Sequence, residues 1–140
     1  MAPNNITVAA TDPTGTALTR WSNYGPAVDI AAPGEDVYTT DNDGSYTPVQ
    51  GTSFAAALVS GASALLLSIE PRLSPEEVKE IIKGSSDRLG DGFGIGLLNI
   101  RKAVQEVLDR KRQKDRERLL LACLVGAGVV VAVAGFLLSH

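Results

Sequence analysis

Histidine and cysteine are nearly absent from this sequence of 140 residues, which has one of each. The cysteine, Cys123, lies inside a long apolar run, so no intrachain disulfide can form and cysteine usage does not reveal the redox compartment. The histidine, His140, is the last residue. Basic charge is not in excess: Lys and Arg number 13 against 16 Asp and Glu, for a net charge of −3. That balance gives no nucleic-acid footprint, and no nucleic-acid partner is expected. No internal repeat stands out. Met1-Ala2-Pro3-Asn4-Asn5 shows neither the basic nor the apolar part of a secretory signal. The glycines of residues 90–96 lack a following Lys-Ser/Thr, so no nucleotide site is read there. Asp41-Asn42-Asp43-Gly44 is rich in oxygen ligands but lacks the distal Glu of a calcium loop, and reads as a hairpin turn. No metal or cofactor is expected.

What is present is a loop-rich α/β pattern. Residues 6–11, 28–32 and 37–40 are β-branched and apolar stretches of strand length, separated by Gly, Pro and Asp turns. A helix is predicted from Ser53 to about Ile69, stopped by Glu70-Pro71. Its small and apolar residues lie on both faces, which predicts burial nearly all round. Gly61 inside it predicts close approach of a neighbouring backbone. Ser74-Pro75-Glu76-Glu77 predicts a second helix start, with Ser74 as cap, Pro75 at the first position and Glu77 completing a capping box. Val78, Ile81 and Ile82 form its buried face, and Lys83-Gly84 ends it. Residues 97–108 predict a last amphipathic helix.

The chain is organised around Gly51-Thr52-Ser53-Phe54-Ala55, a turn that runs straight into the long apolar helix. A hydroxyl there sits where backbone N–H groups are unsatisfied and the helix dipole is positive. An oxyanion would be stabilised at that point, which makes Ser53 the candidate nucleophile. The structural alternative is that Thr52 or Ser53 only caps the helix.

Gly51-Thr52-Ser53-x-Ala55, followed by Val59-x-Gly61, resembles the active-site serine segment of subtilisin-like serine proteases. So do three further blocks, in order: the strand Asn5 to Ala10; Trp21-Ser22-Asn23-Tyr24-Gly25-Pro26 with Val28-Asp29-Ile30-Ala31-Ala32-Pro33-Gly34; and Gly96-Leu97-Leu98-Asn99-Ile100 with Ala103-Val104. Ala57 and Leu58 depart from the family, which usually has Pro and often His there. The resemblance implies the C-terminal portion of a three-layer fold built on a parallel sheet. It implies Ser53 as nucleophile, with its own backbone N–H as half of an oxyanion hole, and a peptide or protein substrate. Trp21, Val49, Gly51 and Thr52 look like substrate-binding positions, Trp21 and Val49 on the leaving-group side.

A serine nucleophile needs a general base within hydrogen-bond reach. The family order is Asp, His, Ser, so both partners are expected upstream of Met1. His140 is separated from Ser53 by an apolar segment and cannot be the base.

Residues 119–138 carry no charge and no proline. At about 1.5 Å per residue they span about 30 Å, the hydrocarbon thickness of a bilayer. A single transmembrane helix is predicted there. Residues 109–118 form a charged juxtamembrane linker, and residues 1–108 the peptidase-like part. Arg110, Lys111, Arg112, Lys114, Arg116 and Arg118 precede the apolar run, and only Ser139 and His140 follow it. The positive-inside rule puts the basic side in the cytoplasm, whereas a secreted subtilisin-like domain faces outward. The side of the peptidase-like part is therefore open.

Three functional readings follow from the sequence. One is a membrane-anchored subtilisin-like endopeptidase whose Asp and His lie upstream, so that these 140 residues alone are inactive. Another is a non-catalytic, membrane-tethered remnant or interaction module. The third is one half of a split protease, whose upstream segment is supplied in trans.

Overall fold

A computed structural model describes residues 5–89 and 95–138, with side chains to residue 124. The chain divides into two units, Met1–Val107 and Leu108–His140.

In the first unit, β1 (Val8–Thr11) and β2 (Ile30–Pro33) pair in parallel, with Val8 opposite Ile30 and Ala10 opposite Ala32. Two short strands follow in sequence order after a hairpin and two helices: β5 (Asp87–Arg88) and β6 (Gly96–Leu97). They extend the sheet to the order β1-β2-β6-β5, in which only the β5–β6 pair is antiparallel. The hairpin of β3 (Val37–Thr40) and β4 (Tyr46–Val49) forms a separate sheet.

Alternation along β1 and β2 sorts the core into two faces. Ala10, Ile30 and Ala32 join the helices α1 (Thr52–Ile69) and α2 (Pro75–Gly84) and the first turns of α3 (Ile100–Leu138) through Leu66, Ile81, Ile82, Ala103 and Val107. Ala9 and Ala31 face the other way, onto Leu89 and Ile95. The alanines matter because a short side chain lets the helix approach the sheet closely. Burying Leu66 fully is worth about 1.5–3 kcal/mol.

The expected parallel sheet and helices are present, but the described residues form two layers rather than three. Helices cover one face of the sheet only. This difference explains a second one. α1 buries Ala55, Val59, Ala62 and Leu66 on the sheet side. Leu58, Leu65 and Leu67 on its far side remain exposed, so burial is not all round. Gly61 lies on that exposed face, and among the described residues no other element comes within 4 Å of where its Cβ would stand, so the expected close backbone contact is not made by them. Among the residues described with side chains, α1 is also the one helix apolar and long enough to cross a membrane by composition. Its packing on β1 and β2 marks it as a core helix.

The start of α2 follows its sequence pattern. Ser74 Oγ accepts from the Glu77 N–H at 3.2 Å, and the Glu77 carboxylate accepts from the Ser74 N–H at 2.8 Å. α2 is tied to the sheet by Asp29, at the entrance of β2. Its carboxylate accepts from the Thr7 N–H at 3.0 Å and pairs with Lys79 at 2.8 Å and Lys83 at 2.9 Å. Burial acts to raise the Asp29 pKa, but the bonds from Lys79, Thr7 and Lys83 outweigh it and hold it at about 2.

β1 and β2 begin two residues later than the apolar stretches suggested, while β3 matches its predicted bounds. The Asp41–Gly44 segment is the turn of the β3–β4 hairpin. The Asp41 and Asp43 carboxylates accept from the N–H groups of Asn42 and Ser45, at 2.7 and 2.8 Å. The last helix does not stop near residue 108. It starts at Ile100, where the Asn99 side chain accepts from the Lys102 N–H at 2.9 Å, and its backbone continues to Leu138. No Gly or Pro interrupts the charged residues, so nothing in them breaks the helix. Residues 90–94 and His140 lie outside the described residues.

Candidate active site

β2 ends at Pro33, and the next residue, Gly34, meets the chain again seventeen residues later. The Gly51 N–H donates to the Gly34 carbonyl at 2.8 Å. The Gly34 N–H in turn donates to the Thr11 carbonyl at 3.1 Å. A Cβ on Gly34 would stand 2.5 Å from the Ala10 Cβ and 3.0 Å from the Gly51 carbonyl oxygen. Glycine is required for this approach. Gly51 itself has φ 154°, which L side chains rarely adopt. The two glycines fasten the segment before α1 to the C-terminal ends of β1 and β2.

Gly51 is the N-cap of α1 and no side chain caps the helix. Its carbonyl accepts from the Phe54 N–H at 3.1 Å and the Ala55 N–H at 3.4 Å. Ser53 is exposed, in the first turn. Neither its hydroxyl nor its N–H finds a partner among the described residues. The capping alternative therefore fails: no side chain, neither Thr52 nor Ser53, makes a capping bond at this helix end. An exposed hydroxyl and an unpaired N–H thus stand on the same residue at the positive end of an 18-residue helix, where negative charge is stabilised.

Trp21 is 41% exposed and sits on a turn after β1. The turn is pinned on both sides of the indole to Ala10. Ser22 Oγ accepts from the Ala10 N–H at 2.8 Å, and the Thr19 N–H donates to the Ala10 carbonyl at 3.0 Å. Ala10 is thus shared, since its Cβ is also what Gly34 must clear. The segments carrying Trp21 and Ser53 converge on it. Val49 is half-buried, opposite Val37 on the more sheltered face of the β3–β4 hairpin, two residues before Gly51.

Ala10, Thr19 and Gly34 had no place among the candidate residues. The fixing of the turn around Trp21 depends on Ala10, remote in sequence, and has no local signature. The Gly34–Gly51 bond has no local signature. No cluster of three or more metal-ligating side chains occurs among the described residues.

The Subtilase family (Peptidase S8) matches residues 1–117. Subtilisin DY of Bacillus licheniformis is 40% identical over 87 residues, 61% of this chain and 32% of that protein. An extracellular basic protease of Dichelobacter nodosus is 36% identical over 129 residues, 81% of this chain and 21% of that protein. The chain thus spans a third or less of the length of these relatives. Among solved structures, a protease from Pseudoalteromonas arctica superposes with a TM-score of 0.70 at 30% identity, covering 75% of this chain and 36% of that one. On these matches and on its fold, the chain belongs to the subtilase family.

Proposed function

We propose that this chain carries the nucleophile of a subtilisin-like serine endopeptidase and that Ser53 is that nucleophile. The observation that carries the reading is the unpaired Ser53 hydroxyl beside its own unpaired N–H at the start of α1. Ser53 Oγ attacks the carbonyl carbon of the scissile peptide bond and its proton passes to a histidine. The carbonyl oxygen becomes an oxyanion held by the Ser53 N–H. The C–N bond then breaks, the histidine protonates the leaving amine, and an acyl-enzyme remains for water to hydrolyse. Trp21 and Val49 line the side from which the amine leaves, and Gly51 and Thr52 are further substrate-binding positions.

The one histidine of these 140 residues, His140, follows the apolar run, so the base and its Asp come from outside them. The relatives' greater length supports an upstream source in the same polypeptide. Residues 1–108 are the peptidase part, 109–118 a helical linker and 119–138 a single-pass membrane anchor. Supporting the anchor are twenty uncharged residues and a helical backbone to Leu138. A serine-directed phosphonate, applied to membranes of the source, tests the reading by whether it labels Ser53.

The lack of a base also favours a second reading, a tethered remnant or one half of a split protease. Co-purification separates them: a partner carrying the Asp and His identifies the split enzyme. Peptide cleavage by the 140 residues alone, abolished by Ser53→Ala, would exclude an inert remnant.

A further inference from the structure

We propose that the basic residues of α3 next to the apolar run form a collar that binds anionic phospholipid headgroups, with Lys114, Arg116 and Arg118 as its contact residues. The proposal rests on the reading of residues 119–138 as a membrane anchor.

The collar lies within the second unit, where every residue from 109 to 118 is exposed. Six of the ten are Lys or Arg and three are acidic, so the stretch carries a net charge of +3 in a chain whose total is −3. Part of this charge is answered locally. Arg112 pairs with Asp109 at 3.2 Å, and the Gln113 amide donates to Glu117 at 3.1 Å. The side chains of Lys114, Arg116 and Arg118 have no partner among the described residues. The unanswered cations are thus the three nearest to residue 119.

Their height suits headgroups. At about 1.5 Å per residue, Lys114 stands about 7.5 Å from the first residue of the apolar run, and the polar zone on each side of a bilayer is about 5–8 Å deep. Their distribution suits a helix that passes through this zone rather than lying on it. At about 100° per residue, Arg110, Lys111, Lys114 and Arg118 fall on one side and Arg112 and Arg116 on the other. A helix lying in the interface needs an apolar face. Residues 109–118 contain no apolar side chain at all. That lack also removes the apolar anchors a protein partner would bury. At headgroup depth Lys114 and Arg118 meet lipid phosphates on one side and Arg116 on the other, with long stems that let the charged ends adjust.

Spin-labelled lipids test this in the full chain, reconstituted in phosphatidylcholine vesicles containing 30% phosphatidylglycerol. The fraction of each labelled lipid held motionally restricted beside the helix is compared. The expected preference for phosphatidylglycerol over phosphatidylcholine is about fivefold in low salt, the effect of roughly one basic residue near an anionic surface. It falls towards parity in molar salt, where the screening length is about 3 Å. Lys114→Gln, Arg116→Gln and Arg118→Gln together should remove it, while the variant still floats with the vesicles. Gln is a good helix former, so the helix is kept. Equal restriction of the two lipids by a chain that floats would overturn the collar alone, as would a preference that survives in the triple variant. A chain that fails to float would overturn the anchor and the collar with it.

Discussion

The N–H of Gly51 donates to the carbonyl of Gly34 at 2.8 Å, joining the turn before α1 to the end of β2. The position of Ser53 depends on this bond, because only Thr52 separates it from Gly51. The bond depends in turn on the missing side chain of Gly34, which leaves room for Ala10 and for the Gly51 carbonyl.

Gly34→Ala should therefore force the backbone apart. The added Cβ meets Ala10 at 2.5 Å, inside the core rather than at a flexible tip. Overpacking of this kind costs about 1–3 kcal/mol. Urea denaturation of the full chain in detergent, followed by circular dichroism, measures it. An unchanged midpoint would show that the junction yields freely.

Two serines at helix starts should respond differently to replacement by alanine. Ser74 accepts a bond from Glu77, so Ser74→Ala should lose about 1 kcal/mol. The Ser53 side chain has no partner among the described residues, so Ser53→Ala should stay within about 0.5 kcal/mol of the parent while abolishing any reaction with a phosphonate. A large loss of stability in Ser53→Ala would return this residue to a structural role.

Acid should weaken the first unit through Asp29. Its carboxyl has a pKa of about 2 in the fold against 3.8 for a free group, and its side chain is 13% exposed. A lowered carboxylate pKa adds stability that is complete above about pH 4 and is lost as pH falls through about 2. The contribution is about 2 kcal/mol. Asp29→Asn should be less stable than the parent at pH 6, and the gap should close near pH 2. A gap independent of pH would mean that the two lysines do not hold the charge.

Leu66 is fully buried where α1 crosses the sheet. Leu66→Ala should cost about 2–5 kcal/mol. Leu65→Ala, one position away on the exposed face, should cost far less. Similar losses at both positions would mean that something covers the outer face of α1.

Local chemistry made much of this legible. Ser74-Pro75-Glu76-Glu77 contains its whole cap, and Glu70-Pro71 its helix stop, because those signals act within one turn of the chain. The turn at Gly51 leading into α1 was legible by motif. The fixed turn around Trp21 and the Gly34–Gly51 junction were not, since each depends on Ala10, remote in sequence. β5 and β6 are two residues each and carry no periodic pattern. α3 was underestimated because a charged run looks like a linker, yet its residues are good helix formers. The exposed outer face of α1 has the opposite cause. Its composition is that of a helix buried all round, and the described residues cover one side.

The most direct test of the central claim is phosphonate labelling of the protein in its native membrane, with the modified residue identified by mass spectrometry. The account predicts a covalent adduct on Ser53 wherever a histidine base is supplied, and none on the 140 residues alone, since removing the base of a subtilisin triad costs about 10⁶ in rate. Peptide cleavage without any adduct on Ser53, or an adduct on a different serine, would contradict it.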